Sequence, residues 1–382
     1  MKSRSRKDDA ATRILRAKGN PAELDKILQD ECRRRASRKL AATLSSAPGF
    51  RFPTSLSAEQ CTADNVAEFH ASLIEPGSSV VDLTCGLGID SFHMARRCSR
   101  VVCMDIDSDV SAAIGHNARE LGLENISAVC GDCREWLEGY AGEPFDVAFI
   151  DPARRADDGS RLYSLTQCKP DVVEMIPLIA AHARRLIIKA SPMLDVTKSL
   201  AELPDVAAVY AVGTKAECKE LLFDIRFGHN GAAASVNAVT VGEGAAVITP
   251  VVRDKAVQYV SEIKPGDIIG EPWPSVMKLQ PGGISPCQLH PSTYLFCNPP
   301  SGFPGNLYAV ERVEQFSSSN LRRLAREKLE ASVAVRNFPL QADALRQRIK
   351  NRESSSTRLM ATTLYPNLQI LVFLSPIVAK NA

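Results

Sequence analysis

Four apolar runs in succession, each closing on an acidic residue and each leading into a stretch of helical period, limit what this chain can fold into. They occupy residues 79–84 (SVVDLT), 101–105 (VVCMD), 126–130 (ISAVC, then Gly131-Asp132) and 145–150 (FDVAFI, then Asp151-Pro152). Short β-branched runs of this kind read as buried strands, and the stretches at 90–97, 108–122 and 134–138 read as helices. A fifth run, 185–189 (RLIIK), follows a helix expected around 172–183, and runs at 206–212 and 221–227 are close enough to pair antiparallel. The alternation predicts an α/β fold with a Rossmann-like, doubly wound parallel sheet. Parallel strands bring their C-terminal ends to one rim, so Asp82, Asp105, Asp132 and Asp151 are expected side by side where open α/β sheets bind ligands. One such aspartate reads as a helix or turn cap. Four in register read as a site.

The first turn carries the most chemistry. Residues 80–90 (VVDLTCGLGID) run from a strand through D-x-x-x-G-x-G, with Thr84 inside it, into a helix. Glycine at 86 and 88 allows the backbone to approach a ligand, because no Cβ intervenes. A pyrophosphate-binding turn would carry a third glycine where Ser91 stands and no carboxylate ahead of the turn. Asp82 instead suits the ammonium end of a zwitterion. Asp105 ends the second strand nineteen residues after Gly86, where a carboxylate accepts both hydroxyls of a ribose. Asp132 is placed to accept an adenine amino proton.

The remainder of the chain divides by composition. Its 382 residues exceed the ~250–300 at which single cores stop growing. Residues 1–56 read as a basic helical extension and 57–228 as the ligand-binding domain, opened by a capping box at Ser57–Gln60 (SAEQ) and one helix to about residue 74. The Gly/Ala-rich stretch at 228–234 leads into a β-rich, ferredoxin-like subdomain at 229–300 and a small α+β domain at 301–382. The uncharged run at 359–379 contains Pro366, Asn367, Gln369 and Pro376, so it reads as two strands about a turn and not as a membrane span. Eleven scattered cysteines and no apolar segment after the basic N-terminus imply reduced thiols and a cytoplasmic protein.

The series Asp82-x-x-x-Gly86-x-Gly88, Asp105, Gly131-Asp132 and Asp151-Pro152 resembles the motifs of class I S-adenosylmethionine-dependent methyltransferases. Further segments narrow the likeness: 57–60, Asp151-Pro152-Ala153-Arg154-Arg155, 189–195 (KASPMLD), Glu271-Pro272 through Met277-Lys278, and Arg336-Asn337-Phe338-Pro339. From about residue 31 to 374 the chain is similar to a bacterial methyltransferase family with a C-terminal THUMP-like domain. That resemblance implies S-adenosylmethionine as cofactor, bound by Asp82, Thr84, Gly86, Gly88, Asp105 and Asp132, and an RNA substrate. It assigns catalysis to Asp151, Pro152 and Arg154. Amino-methylating relatives carry Pro-aromatic where this chain has Ala153-Arg154, so stacking on the base falls to the Arg154 guanidinium, which equally suits a phosphate or a salt bridge to Asp157 or Asp158.

Two chemistries are disfavoured. Carbon-5 pyrimidine methylation needs a thiolate, and the strand at 185–189 runs into Ala190-Ser191-Pro192 with no cysteine; Cys168 is the nearby candidate. Cys130-x-x-Cys133 lacks the partner pair of a structural zinc site and reads as buried thiols, so no metal is expected. His93, His116 and His182 fall on expected helices without ligand spacing. Charge favours a polyanionic partner. Residues 1–40 carry thirteen Lys/Arg against six Asp/Glu, and 322–358 carry ten against four. The expectation is therefore a methyltransferase acting on a base nitrogen of transfer or ribosomal RNA. A small-molecule or protein substrate, or a non-catalytic RNA-binding protein on the same core, is the alternative.

Overall fold

The computed structural model describes residues 19–153, 164–229, 231–252, 256–280, 284–354 and 356–377; Arg154, Asp157 and Asp158 lie outside them. The chain forms two compact units, the first comprising 1–209, 220–235 and 241–246 and the second 210–219, 236–240 and 247–382.

The first unit holds β1 (Ser79–Asp82), β2 (Arg100–Asp105), β3 (Ile126–Cys130), β4 (Val147–Ile150) and β5 (Arg185–Ala190). The sheet continues through β6 (Val206–Gly213), β7 (Cys218–Arg226), β8 (Ser235–Gly242) and β9 (Gly244–Pro250), in the order β3-β2-β1-β4-β5-β7-β6-β8-β9. Strands β1 to β5 are mutually parallel, and β7 runs antiparallel to β5. Helices on both faces explain why β1, β2 and β4 are apolar along most of their length, with no inside-outside alternation. Strand order reverses between β1 and β4, the switch point at which doubly wound sheets open a crevice.

Two local features differ from expectation. The extension is broken into helices Pro21–Ala36 and Ala41–Ser46, and the expected helix from Ser57 is two: Ser55–Gln60 and Asp64–Ser72. Thr54, not Ser57, is the N-cap; its hydroxyl accepts the Ser57 amide at 3.0 Å. The second break arises because the Thr62 hydroxyl donates to Asp90 at 2.6 Å, while Asp64 accepts the Ala42 and Thr43 amides at 2.9 and 3.0 Å. Cys130 is exposed and Cys133 buried, because β3 is an edge strand.

In the second unit eight strands make one sheet: β10 (Gln258–Tyr259), β11 (Ile268–Pro272), β12 (Cys287–His290), β13 (Thr293–Cys297), β14 (Gly305–Gln315), β15 (Ser332–Arg336), β16 (Arg358–Leu364) and β17 (Leu368–Pro376). Their order is β10-β12-β13-β11-β14-β17-β16-β15. Segments on either side of residue 300 thus share this sheet, with Ile269 opposite Tyr308. β16 and β17 are antiparallel, as the turn at Tyr365-Pro366-Asn367 requires. One face packs Leu359, Ala361, Leu371 and Phe373 against helices Ser318–Glu327 and Ala342–Ile349. The other gathers Ile269, Leu295, Tyr308, Met360 and Val372. None of the described helices is long and apolar enough to cross a membrane.

Candidate active site

The four rim carboxylates stand at neighbouring strand ends, in the spatial order Asp132, Asp105, Asp82, Asp151. Their surroundings differ. Asp132 is exposed and caps the helix Cys133–Glu138, accepting the Arg134 and Glu135 amides at 2.8 and 3.1 Å, so the capping role holds for this residue. Asp105 accepts the Gly86 amide at 3.1 Å and the Asp107 amide at 3.0 Å, which ties the rim of β2 to the glycine turn. Burial raises its pKa, with those amides opposing. Beside it Ile106 is 75% exposed, an apolar side chain open at the rim that sequence reasoning passed over.

Asp82 is turned inward. Its carboxylate accepts the Ser91 hydroxyl at 2.5 Å and the Thr84 amide at 3.3 Å, and burial pushes its pKa up to about 7. The Ser91 at the third-glycine position is therefore explained: it holds the carboxylate that shapes the turn. Thr84 in turn accepts the Asp151 amide at 2.7 Å, joining the loops on either side of the switch point. Gly88 has φ +83° and caps the helix Ile89–Ala95, and a Cβ there would lie 3.0 Å from Phe92 Cζ. Above Gly86, at φ +53°, nothing lies within 4 Å of where a Cβ would be. This backbone is bare toward a ligand, as a close-approach turn requires.

Asp151 is held by a residue that the sequence marked only as the start of the 189–195 segment, without a role. Lys189, at the end of the apolar strand β5, is almost wholly buried; its ammonium lies 2.7 Å from Asp151 Oδ2 and 3.4 Å from Asp90 Oδ2, and donates to Thr62 Oγ1 at 2.8 Å. Burial opposes its charge, but Asp151, Asp90 and Glu220 together hold its pKa above the ordinary lysine range. Behind it His70 is fully buried, with Nδ1 2.8 Å from Asp90 Oδ1 and Nε2 2.5 Å from Glu220 Oε1. Burial alone would keep that imidazole neutral; the two carboxylates raise it to about 9. Burial would likewise raise Asp90, yet Lys189 and His70 hold it far below the usual carboxylate range. A chain of ion pairs thus runs from Glu220 through His70, Asp90 and Lys189 to Asp151, which alone among them is substantially open to solvent, its side chain 28% exposed.

Next to Asp151, a small hollow of about 10 Å³, room for about one water, is lined by Pro152, Leu165, Cys168, Lys189, Ser191 and Leu194, among others. Cys168 Sγ faces the Ser164 carbonyl at 3.6 Å. Among the described residues no group of His, Cys, Asp and Glu side chains is arranged to hold a metal.

Comparison with known proteins finds two domain matches. A methyltransferase-domain model matches residues 80–158, and a THUMP domain-like model matches 305–376. The chain carries a methyltransferase domain and a THUMP-like domain. A crystal structure from Porphyromonas gingivalis W83, of a protein provisionally named a methyltransferase, superposes with a TM-score of 0.84 at 26% identity, over 93% of this chain and 91% of that one. Among curated relatives, an uncharacterised RNA methyltransferase of Thermosynechococcus vestitus is 36% identical over 28% of this chain and 24% of its own length. A 23S rRNA (uracil(1939)-C(5))-methyltransferase of Photobacterium angustum is 30% identical over 30% of this chain and 54% of its own. The matches therefore span about a quarter to a half of those relatives' lengths. The methyltransferase model covers β1 to β4 and all four rim aspartates, while Lys189, His70 and Glu220 lie outside it.

Proposed function

We propose that the chain is an S-adenosylmethionine-dependent methyltransferase that modifies a base nitrogen of RNA. The observation that carries this reading is the Asp151 carboxylate at the switch point, anchored by a buried ammonium at 2.7 Å. An acceptor fixed in this way binds the N–H of an exocyclic or ring amine and turns the nitrogen lone pair toward a donor in the neighbouring crevice.

The residues present fit that donor. Gly86 and Gly88 would give its methionine portion a bare backbone, Asp105 would accept ribose hydroxyls, and the exposed Ile106 and the outer oxygen of Asp132 would serve the adenine. Asp82 and Thr84 shape the turn. When bound, the cofactor supplies a methyl group on a positively charged sulfur. Methyl transfer is an in-line displacement, so the chain contributes mainly orientation. Asp151 and the Pro152 carbonyl would accept hydrogen bonds from the amine, and the proton shed as nitrogen gains its methyl leaves to water. Lys189 keeps the carboxylate aimed. Arg154 is proposed to stack on the base or grip a phosphate. The relatives' names and the excess of basic residues at 322–358 support RNA as the substrate.

A second reading has one observation in its favour. Cys168 lies beside Pro152 and Lys189, and a thiolate is the nucleophile that carbon-5 methylation needs, the reaction named for the Photobacterium relative. One experiment separates the two: transfer of labelled methyl from S-adenosylmethionine to extracted RNA, protein and metabolites, followed by nucleoside analysis. Asp151→Ala is expected to abolish transfer with little change in cofactor affinity, and Cys168→Ala to leave it intact. Unchanged turnover in Asp151→Ala would remove the site assignment, and loss in Cys168→Ala with 5-methyluridine as product would establish the second reading.

A further inference from the structure

Two motifs singled out in the sequence, Glu271-Pro272 and Arg336-Asn337-Phe338-Pro339, stand sixty-five residues apart and play no part in the chemistry above. In the second unit they meet. Glu271 is 5% exposed and accepts the Arg336 guanidinium at 2.7 Å and that of Arg358 at 2.9 Å. Arg358 also donates to the Tyr308 hydroxyl at 2.8 Å and lies over that ring at 5.1 Å. The strands dictate this meeting. Side chains alternate between faces, so Glu271 shares a face with Ile269, and Arg358 with Met360, the face that also carries Tyr308. Arg336 lies on that face too, since Val333 and Val335 pack on the opposite one.

The cluster is not balanced. One carboxylate serves two guanidiniums, and among the described residues no second acid pairs with either arginine, leaving one net positive charge half removed from water. Two polar atoms there also lack partners. Arg358 Nε is buried without an acceptor, and so is the hydroxyl of Thr362, which is 0% exposed and is the cross-strand partner of Arg336. Buried polar groups are ordinarily satisfied, and an unpaired charge is costly. A water would satisfy the hydroxyl but not the charge. An anion with several acceptor oxygens would answer the charge, and Arg336, whose side chain is 40% exposed, gives it access.

We propose that Arg336, Arg358 and Thr362, with Glu271 as the clamp that fixes both guanidiniums, form a phosphate-binding site on this sheet face, and that its occupant is a phosphate of the RNA substrate. The proposal rests on the RNA reading above and names the group that grips the chain at a distance from chemistry. Guanidiniums locked on a carboxylate have lost their rotamer freedom, so little is given up on binding.

The test uses the full chain with two probes, inorganic phosphate and bulk transfer RNA, across 50 to 200 mM salt. Wild type is expected to bind phosphate. Arg336→Gln should weaken RNA binding about tenfold and lower the slope of log K against log salt by about 0.7 to 0.9, the loss of one phosphate contact. Thr362→Val, which keeps the volume and charge, should weaken both probes about threefold without altering the slope. Phosphate binding lost in both variants with RNA affinity and slope unchanged would overturn RNA as the source. Wild type indifferent to phosphate, with natively folded variants that bind RNA as it does, would overturn the site. Phosphate titration needs neither cofactor nor methyl transfer, so its outcome stands apart from that of the methyltransferase reading.

Discussion

His70 makes stability fall with pH in a window set by its two carboxylate partners. It is enclosed by Asp90 from the helix Ile89–Ala95, Glu220 from β7 and the Phe149 ring of β4 at 5.8 Å, with Lys189 on the far side of Asp90. Its pKa is about 9 in the folded chain against 6.5 when unfolded. The folded state therefore keeps a proton that the unfolded chain has released, and the stabilisation is complete below pH 6.5 and lost as pH rises through about 9. Between those values the slope is about −1.4 kcal/mol per pH unit, a total of about 3 kcal/mol. The variant is His70→Gln, which fills similar space and cannot titrate. It will be less stable at every pH below 9, because two carboxylates lose their shared cation. The informative quantity is the difference from wild type, measured by urea unfolding at half-unit steps from pH 6 to 10. Buried thiols such as Cys133, which burial pushes up to about 11, also lower stability at high pH, but equally in both proteins, and they cancel. The difference should shrink by about 3 kcal/mol across the window. A constant difference would mean that His70 is neutral in the folded state and that the ion chain ends at Asp90.

Two further outcomes follow from the same geometry. Lys189→Met removes the cation from both Asp151 and Asp90; breaking such a buried pair costs about 3 kcal/mol, the partial exposure of Asp151 keeping it at the low end, and loosening the acceptor should lower kcat about 100-fold while the cofactor Kd moves far less. Calorimetry and single-turnover methyl transfer separate those effects, and equal losses in both would make Lys189 a scaffold residue only. Gly88→Ala forces a β-carbon into a left-handed backbone and against Phe92 Cζ at 3.0 Å, so thermal unfolding should report about 2 kcal/mol of destabilisation with weakened cofactor binding.

The rim was legible because it depends on local information. A strand that ends in an aspartate and turns at a glycine announces itself within eleven residues, and parallel pairing aligns the four ends without further instruction. The ion chain behind Asp151 was not legible, since its members come from a helix, a helix N-terminus and two strands separated by up to 150 positions. A signal was nevertheless present: Lys189 in RLIIKA and Glu220 in ELLFDIR are charges set in runs apolar enough to be buried, and a charge inside a buried strand must have a partner. Which partner is a matter of tertiary packing. The second unit hid more, because pairings such as Ile269 with Tyr308 join segments by long-range register, and short strands with proline turns carry little of that information.

The two buried ion clusters differ in composition, and the difference bears on function more than either cluster does alone. In the first unit, among the described residues, the carboxylates of Asp90, Glu220 and Asp151 share the cations of His70 and Lys189 on a largely dry support. The carboxylate of Asp151 favours an amine that becomes cationic as it is methylated. In the second unit two guanidiniums share one carboxylate. Charge reversal of each cluster should then act on different parameters: Arg336→Glu on the KM for RNA and its salt dependence, and substitutions at Lys189 on kcat. If both sets altered only KM, the separation of chemistry from grip would fail.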